Sequence, residues 1–176
     1  MNWQELESAA LTSVKKALQD LNEEHPDEMF YACSLYTDSS AMTMALAVNS
    51  VEALNAKLEK EVEEEREELM PYYKWATSEW EYEAWMGEYF KDICKSLREA
   101  SERDDTSNFK ESLISLMVKI LSALRKEGFF RSFKIQDPML FVSITDDDGA
   151  ESVENRTSEL LNSPEEYICF VRRFDG

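Results

Sequence analysis

The sequence predicts an α+β fold, with a small, mostly antiparallel sheet packed against several amphipathic helices. Two β-prone segments spanning about 29–48 resemble a hairpin, and a third lies late in the chain, at about 139–145. Most of the remaining length shows helical periodicity. Because strands and helices do not alternate strictly, helices should cover at least one face of the sheet. The 176 residues contain no linker-like segment, so a single domain over 1–176 is expected.

The first predicted element is an amphipathic helix near the N-terminus. Apolar residues recur there at steps of three and four, namely Trp3, Leu6, Ala10, Val14, Ala17, Leu18 and Leu21. A residue that precedes proline is disfavoured in the helical region, so the helix should end before His25 and Pro26.

A β-hairpin is predicted next. Residues 29–37, MFYACSLYT, are aromatic and β-prone, and residues 41–48, AMTMALAV, resume the apolar pattern after a polar turn at 38–40. The Met and Ala residues of the second segment would also suit a helix.

Two helices are expected between residues 49 and 97. Asn49 and Glu52 form a capping-box pattern that opens a helical stripe through the charge run 59–68, and Pro71 should end it. Ser78 and Glu81 form a second capping box, which predicts a helix from Trp80 to about residue 97.

The strongest helical pattern occupies the chain from Asn108, paired with Glu111 as a capping pattern, to Gly128 as the residue after the helix. The segment to residue 138 leads into the strand at 139–145, and a short helix should begin near Ala150. Ser163, followed by a proline, is a typical start for a last helix.

Several classes of function lack their residues. The four glycines, at 87, 128, 149 and 176, are too far apart for a phosphate-binding or dinucleotide-binding loop. His25 is the only histidine, so histidine-dependent triads and multi-histidine metal sites cannot form. The three cysteines, Cys33, Cys94 and Cys169, lack zinc-site spacing and are expected to be free thiols. No catalytic residue and no cofactor are assigned.

The net charge of −18 argues against binding to nucleic acid or to anionic membranes, because such binding depends on neutralising negative charge. Two interpretations of this charge remain open, namely solubility and attraction to a basic protein partner. No apolar run is long enough to span a bilayer and the N-terminus does not resemble a secretory signal, so a cytoplasmic location is expected.

Three consecutive carboxylates follow the late strand and form the candidate metal site, Asp146, Asp147 and Asp148. A calcium loop is excluded, because placing Gly149 at its sixth position puts Ile144 and Asn155 where carboxylates are required. The segment is similar to the first motif of haloacid-dehalogenase-type phosphatases, but fewer than 30 residues follow it. The favoured interpretation is that these aspartates accept backbone amides at a helix start, and a metal-dependent hydrolase is the alternative.

Two neighbouring segments are candidates for contact with a partner. The first is the aromatic segment 71–90, with the candidates Trp75, Trp80, Tyr82 and Trp85, whose side chains serve either as core or as interface anchors. The second is the charge run 59–68, with the candidates Glu61, Glu64, Glu65 and Glu68. This run is either a solvated helix face, with Lys60–Glu64 and Glu63–Arg66 pairs, or a docking surface for a basic partner.

Three blocks of sequence carry a family resemblance, namely FYACSLYTD, YYKWATSEWEYE and LFVSITDDD. Together with the N-terminal helix and SVENRTSELLNSPE, they make the chain similar, over nearly its whole length, to bacterial proteins grouped as domain-of-unknown-function family 4303. The resemblance implies no activity and no catalytic residue. Small acidic bacterial proteins of this kind resemble immunity or antitoxin components, so the expected function is a non-enzymatic, protein-binding one, with an unknown oligomeric state.

Overall fold

The computed structural model describes residues 1–133 and 137–175 and confirms the α+β class. The predicted connection into the late strand therefore lies partly outside the described residues. The helices and strands, in chain order, are α1 (Trp3–Glu24), β1 (Phe30–Asp38), β2 (Ala45–Ser50), α2 (Val51–Leu58), α3 (Arg66–Trp75), α4 (Lys91–Arg98), α5 (Thr106–Lys126), β3 (Met139–Thr145), α6 (Ala150–Leu161) and α7 (Pro164–Val171).

The described strands form one sheet in the order β2-β1-β3. β1 and β2 make the predicted antiparallel hairpin, in which Cys33 lies opposite Val48. β3 joins the other side of β1 in parallel, with Leu140 opposite Cys33. Parallel neighbours need a long crossover, and here the helices α2 to α5 lie between the paired strands. The first and last strands are thus brought together in the centre of the fold.

Apolar side chains cover both faces of the sheet. The larger cluster joins α1 and α5 to one face and includes Leu18, Leu121 and Leu140. A smaller cluster covers the opposite face, and its members are Ala32, Tyr36, Ala47, Trp80, Met139, Phe141 and Phe170. The sheet is therefore a buried middle layer, which explains why β3 is apolar at almost every position rather than at alternate positions.

The start and end of α1 follow the predicted pattern. The side chain of Asn2 accepts a hydrogen bond from the amide of Glu5 at 3.3 Å. The helix ends at Glu24, before His25 and the proline, as predicted. The six apolar residues of the predicted stripe from Leu6 to Leu21 are buried. Ser163 caps α7 as predicted, since its hydroxyl accepts from the amide of Glu166. The carboxylate of Glu166 accepts in turn from the amide of Ser163, which completes a capping box.

Two other helices begin with a different cap from the predicted one. The Ser50 hydroxyl, rather than the Asn49 side chain, caps α2 by accepting from the amide of Ala53 at 3.0 Å. Asp105 caps α5 by accepting from the amide of Asn108 at 3.1 Å. Compared with the predicted starts, α2 begins one residue later and α5 begins three residues earlier, and each cap is the residue that precedes the observed helix.

The predicted helix through the charge run is interrupted. α2 ends at Leu58, and a short 3-10 turn at Glu63–Glu65 precedes α3. Pro71 does not end the helix but lies inside α3. Proline has no amide hydrogen to donate to the carbonyl of Glu67, four residues earlier, and Glu67 is an exposed residue.

The predicted helix from Trp80 is wrong, because this segment runs along the outer edge of β2. The amide of Val48 donates to the carbonyl of Tyr82 at 3.2 Å, and the amide of Trp85 donates to the carbonyl of Leu46 at 3.0 Å. Ala84 and Met86, with φ of 50° and 49°, adopt the left-handed conformation, which a helix does not tolerate. Helical structure resumes only in the 3-10 turn Gly87–Phe90 that leads into α4.

Side chains of α6 and the residue after it cover the opposite edge of the sheet. Asn162 accepts from the amide of Leu140 at 2.9 Å and donates to its carbonyl at 2.7 Å. The hydroxyl of Thr157 accepts from the amide of Val142 at 3.0 Å. These bonds replace those of a further strand, so both edges of the sheet are protected from pairing with another chain.

Candidate protein-binding surface

The aromatic segment belongs largely to the core. Trp80 is 3% exposed and Tyr82 is 5% exposed, which leaves little of either ring for a partner to contact. The ring of Trp80 packs edge-on against Phe141 at 5.7 Å, and its indole nitrogen donates to the carbonyl of Lys74 at 3.1 Å. These two candidates therefore support the surface from within.

Trp75 and Trp85 are half-buried. Trp75 packs against Phe170 at 5.1 Å, on the smaller core cluster. Trp85 donates from its indole nitrogen to the carbonyl of Ala17 at 3.0 Å, which ties the segment to the end of α1. Both side chains hold elements together and present only one side to solvent.

The charge run forms an exposed acidic ridge, defined here by the five glutamates of the turn before α3 and of its first helical turn. Its members are Glu63, Glu64, Glu65, Glu67 and Glu68. Within the described residues, none of these side chains forms a hydrogen bond or an ion pair.

The predicted Lys60–Glu64 and Glu63–Arg66 pairs are absent from the described part of the chain. Arg66 instead donates to the backbone carbonyls of Glu59 and Glu61, each at 3.1 Å, and so closes the break between α2 and α3. The guanidinium of Arg66 therefore bonds to backbone carbonyls and forms no ion pair with a ridge glutamate among the described residues.

Exposed apolar and aromatic side chains flank the acidic ridge in the sequence. Val62 is 57% exposed, Met70 is 39% exposed and Tyr72 is 47% exposed. Apolar and aromatic side chains near carboxylates provide both contact area and charge complementarity for a protein partner.

An acidic cleft of about 700 Å³ lies between α2, the chain entering β1 and the segment 78–82. Five carboxylates line it, namely Glu28, Glu52, Glu61, Glu79 and Glu81, against two lysines and His25. Glu61 also accepts from the hydroxyl of Tyr73 at 2.7 Å, which anchors it where the cleft meets the acidic ridge.

Glu28 is the most engaged of these carboxylates. It accepts hydrogen bonds from the hydroxyls of Tyr82, at 2.7 Å, and of Ser50, and it lies 3.3 Å from Nδ1 of His25. Burial, together with this carboxylate, raises the pKa of Tyr82. The ring of His25 packs at a tilt against Tyr82, at 4.8 Å between ring centres, and edge-on against Trp85, at 5.9 Å.

Lys57 is held on the opposite wall of the cleft. Its ammonium donates to the carbonyl and to the carboxylate of Glu79, both at 2.7 Å, and lies 4.7 Å from the ring centre of Tyr73. The hydrogen bond from Lys57 lowers the pKa of Glu79. One of the two cationic side chains is thus committed to one of the five carboxylates.

The cleft was not predicted from the sequence. Its residues come from three separate segments, near positions 25–28, 49–61 and 78–82. The hairpin register and the pairing of Tyr82 with Val48 bring them together. No spacing within any one segment reveals this juxtaposition.

The aspartates after β3 form a turn stabilised by their own surroundings. Asp147 accepts from the ammonium of Lys110 at 2.7 Å and from the amide of Gly149 at 2.8 Å, and the hydrogen bond from Lys110 lowers its pKa. Asp146 and Asp148 are exposed, and Asp146 adopts a left-handed backbone with φ of 54°. No group of three or more His, Cys, Asp or Glu residues that could hold a metal ion is found in the described ranges 1–133 and 137–175.

Comparisons with known proteins identify a family but no function. A family model described as "Domain of unknown function (DUF4303)" matches residues 11–163. No curated protein and no solved structure matches the chain significantly. Among the helices of the described residues, none is both long and apolar enough to cross a membrane.

Proposed function

The chain belongs to the DUF4303 family of unknown function, and we propose that it is a non-enzymatic domain that binds a basic protein partner. The observation that carries this proposal is the acidic ridge, in which five exposed glutamates have no side-chain partner within the described residues. Unpaired carboxylates repel one another, so a surface of this kind is stabilised when a basic partner supplies the missing charge.

The surroundings of the acidic ridge suit protein contact. Val62 and Tyr72 expose apolar surface close to the ridge in sequence. Glu61, which lines the acidic cleft, lies two residues before the first ridge glutamate. Interfaces that bind specifically combine such apolar anchors with a charged rim. The overall charge of −18 would speed the approach of a basic protein at low salt.

The specific form of the proposal is an immunity-type role, in which the domain neutralises a toxic partner protein of a bacterial cell. The acidity of the chain and its resemblance to small acidic bacterial immunity components support this role. The proposed compartment is the cytoplasm. Masking a basic surface of a toxin requires no catalytic residue in the masking protein.

A capture experiment tests the proposal. The purified chain is immobilised and exposed to an extract of its source cell at low and at high salt. The ridge variant Glu64→Lys/Glu65→Lys/Glu68→Lys is compared with a matched control, Glu23→Lys/Glu88→Lys/Glu159→Lys, whose exposed glutamates lie elsewhere and which changes the net charge equally.

We expect a protein that is captured by the parent chain and the control but is lost from the ridge variant, with at least about a tenfold weaker affinity. High salt should weaken capture by the parent chain. Equal capture by both variants would contradict the proposal. The immunity role is tested by expressing the captured protein with and without this chain, since relief of toxicity should require the intact ridge.

A further inference from the structure

The floor of the acidic cleft contains a buried acceptor without a donor. Asn49 borders the cleft and is 2% exposed. Its amide nitrogen donates to the hydroxyl of Tyr31 at 3.0 Å, whereas its Oδ1 has no hydrogen-bond partner within the described residues. A buried carbonyl oxygen that lacks a donor costs free energy, so this atom favours a ligand that brings an N–H group.

Two carboxylates of the cleft have oxygen atoms that could accept further hydrogen bonds. Glu81 is exposed and forms no hydrogen bond within the described residues, and Glu52 uses one oxygen to accept from the amide of Met29 at 2.8 Å. Lys57 is bound to Glu79, so only Lys60 and His25 remain as basic side chains beside the other four carboxylates of the cleft. Ionised carboxylates can only accept hydrogen bonds, and the cleft therefore selects a ligand that donates them and carries positive charge.

We propose that the acidic cleft binds the cationic side chain of an arginine or lysine that the basic partner inserts beside the acidic ridge, an inference that rests on the proposed function. A guanidinium carries five donors and no acceptor, which matches this set of oxygens. The occupant is a partner side chain because the cleft is continuous with the ridge, since Glu61 lines the cleft and is followed by Val62 and the first ridge glutamate, Glu63.

Nuclear magnetic resonance titration of the full chain with short peptides tests this inference. The probe is acetyl-Gly-Arg-Gly-amide, and acetyl-Gly-citrulline-Gly-amide is its neutral, nearly isosteric control. The reporters are the side-chain amide of Asn49 and the indole N–H of Trp80, both of which border the cleft. We expect the arginine peptide to shift both signals in a saturable manner and the citrulline peptide to leave them in place.

A matched pair of variants distinguishes the contribution of the cleft to peptide binding from that of the overall negative charge. Glu52→Gln/Glu81→Gln removes two charges from the cleft, and each glutamine retains an acceptor oxygen. Glu88→Gln/Glu159→Gln removes the same charge from exposed positions elsewhere. We expect the cleft variant to bind the arginine peptide about fivefold or more weakly, and the control to bind it as the parent chain does. Unchanged backbone spectra establish that both variants fold.

Three results would overturn the inference: no saturable shift, equal shifts with citrulline, or equal weakening in both variants. Tighter binding of putrescine than of the arginine peptide would assign the cleft to a free polyamine and overturn the partner side chain as occupant. Peptide binding without any ridge-dependent capture of a protein would count against the proposed function alone. Ridge-dependent capture without peptide binding would count against the cleft alone.

Discussion

The acidic ridge and the aspartate turn after β3 are both runs of carboxylates, yet they use their charge in different ways. In the turn, Asp147 is bound to Lys110 and to the amide of Gly149, so its charge stabilises the fold. In the ridge, Arg66 is directed to backbone carbonyls, and the neighbouring glutamates have no side-chain partner within the described residues. The density of charge along a sequence therefore does not distinguish structural acids from those available to a partner.

The largest effect on stability is expected for a third kind of acid, one that is largely buried and paired with a buried cation. Glu154 on α6 binds the guanidinium of Arg173 at 2.8 Å, and the Arg173 side chain is only 1% exposed. Replacing Glu154 with Ala leaves that cation buried without its carboxylate, which should lower the free energy of unfolding by about 3 kcal/mol. Urea denaturation measures the change, and Glu159→Ala, an exposed position on the same helix, is the control. A loss no greater than that of the control would show that the pair is not required.

A smaller, pH-dependent effect is expected at Asp147. Because Lys110 lowers its pKa in the folded state, the pair stabilises the fold above the ordinary pKa of an aspartate. This contribution should disappear as the pH falls through the lowered pKa. Thermal denaturation of Asp147→Asn and of the parent chain should thus differ near neutral pH and converge in acid. A difference that persists at the lowest pH would contradict the assignment, and Asp148→Asn should match the parent chain throughout.

Neutralising the acidic ridge should change the stability least. In Glu64→Gln/Glu65→Gln/Glu68→Gln, the relief of mutual repulsion is opposed by the loss of the attraction between negative charge and the positive end of the α3 dipole. The free energy of unfolding should stay within about 0.5 kcal/mol of the parent value, as measured by urea denaturation. A loss comparable to that of the Glu154 variant would place these glutamates among the structural acids and remove the contrast.

The alternative function, a metal-dependent hydrolase, predicts that divalent metal ions bind the chain with measurable heat. Partner binding predicts no such heat. Calorimetric titration with Mg²⁺, Mn²⁺ and Ca²⁺ should produce no saturable heat, and the melting temperature should not change. Asp146→Asn/Asp148→Asn, which retains the Asp147 bonds, is the control. Saturable heat that this variant abolishes would favour the hydrolase.

The parts of the fold that were predicted are those fixed by local chemistry. Periodicity placed the buried stripe from Leu6 to Leu21 on α1, and Gly128 has the left-handed backbone expected after a helix, with φ of 69°. The segment from Trp80 was misassigned because its backbone pairs with β2, a contact between distant parts of the chain. The parallel direction of β3 could not be predicted either, because a hydrophobic pattern indicates which residues are buried but not which way a strand runs.

The candidate site divides in the same way. Exposure of Glu64, Glu65 and Glu68 follows from local polarity, so the ridge was among the predicted surfaces. The cleft depends on Asn49 and Glu81 meeting at the outer edge of β2, where Tyr82 pairs with Val48. Burial of Trp80 depends on the hydrophobic face that the sheet presents to it. Such features arise from tertiary packing, which single-sequence patterns do not contain.

The pairing of β1 with β3 governs the order in which the molecule can be made. Ala32 lies opposite Met139, so the central strand lacks one of its two neighbours until more than 100 further residues have been synthesised. Until β3 leaves the ribosome, the nascent hairpin exposes an apolar strand with an open edge. A contact of such long range slows folding. Pairing of β3 completes the sheet, and Thr157 and Asn162 then cover its free edge. Any termination of translation before residue 139 would therefore release an aggregation-prone fragment rather than a smaller domain.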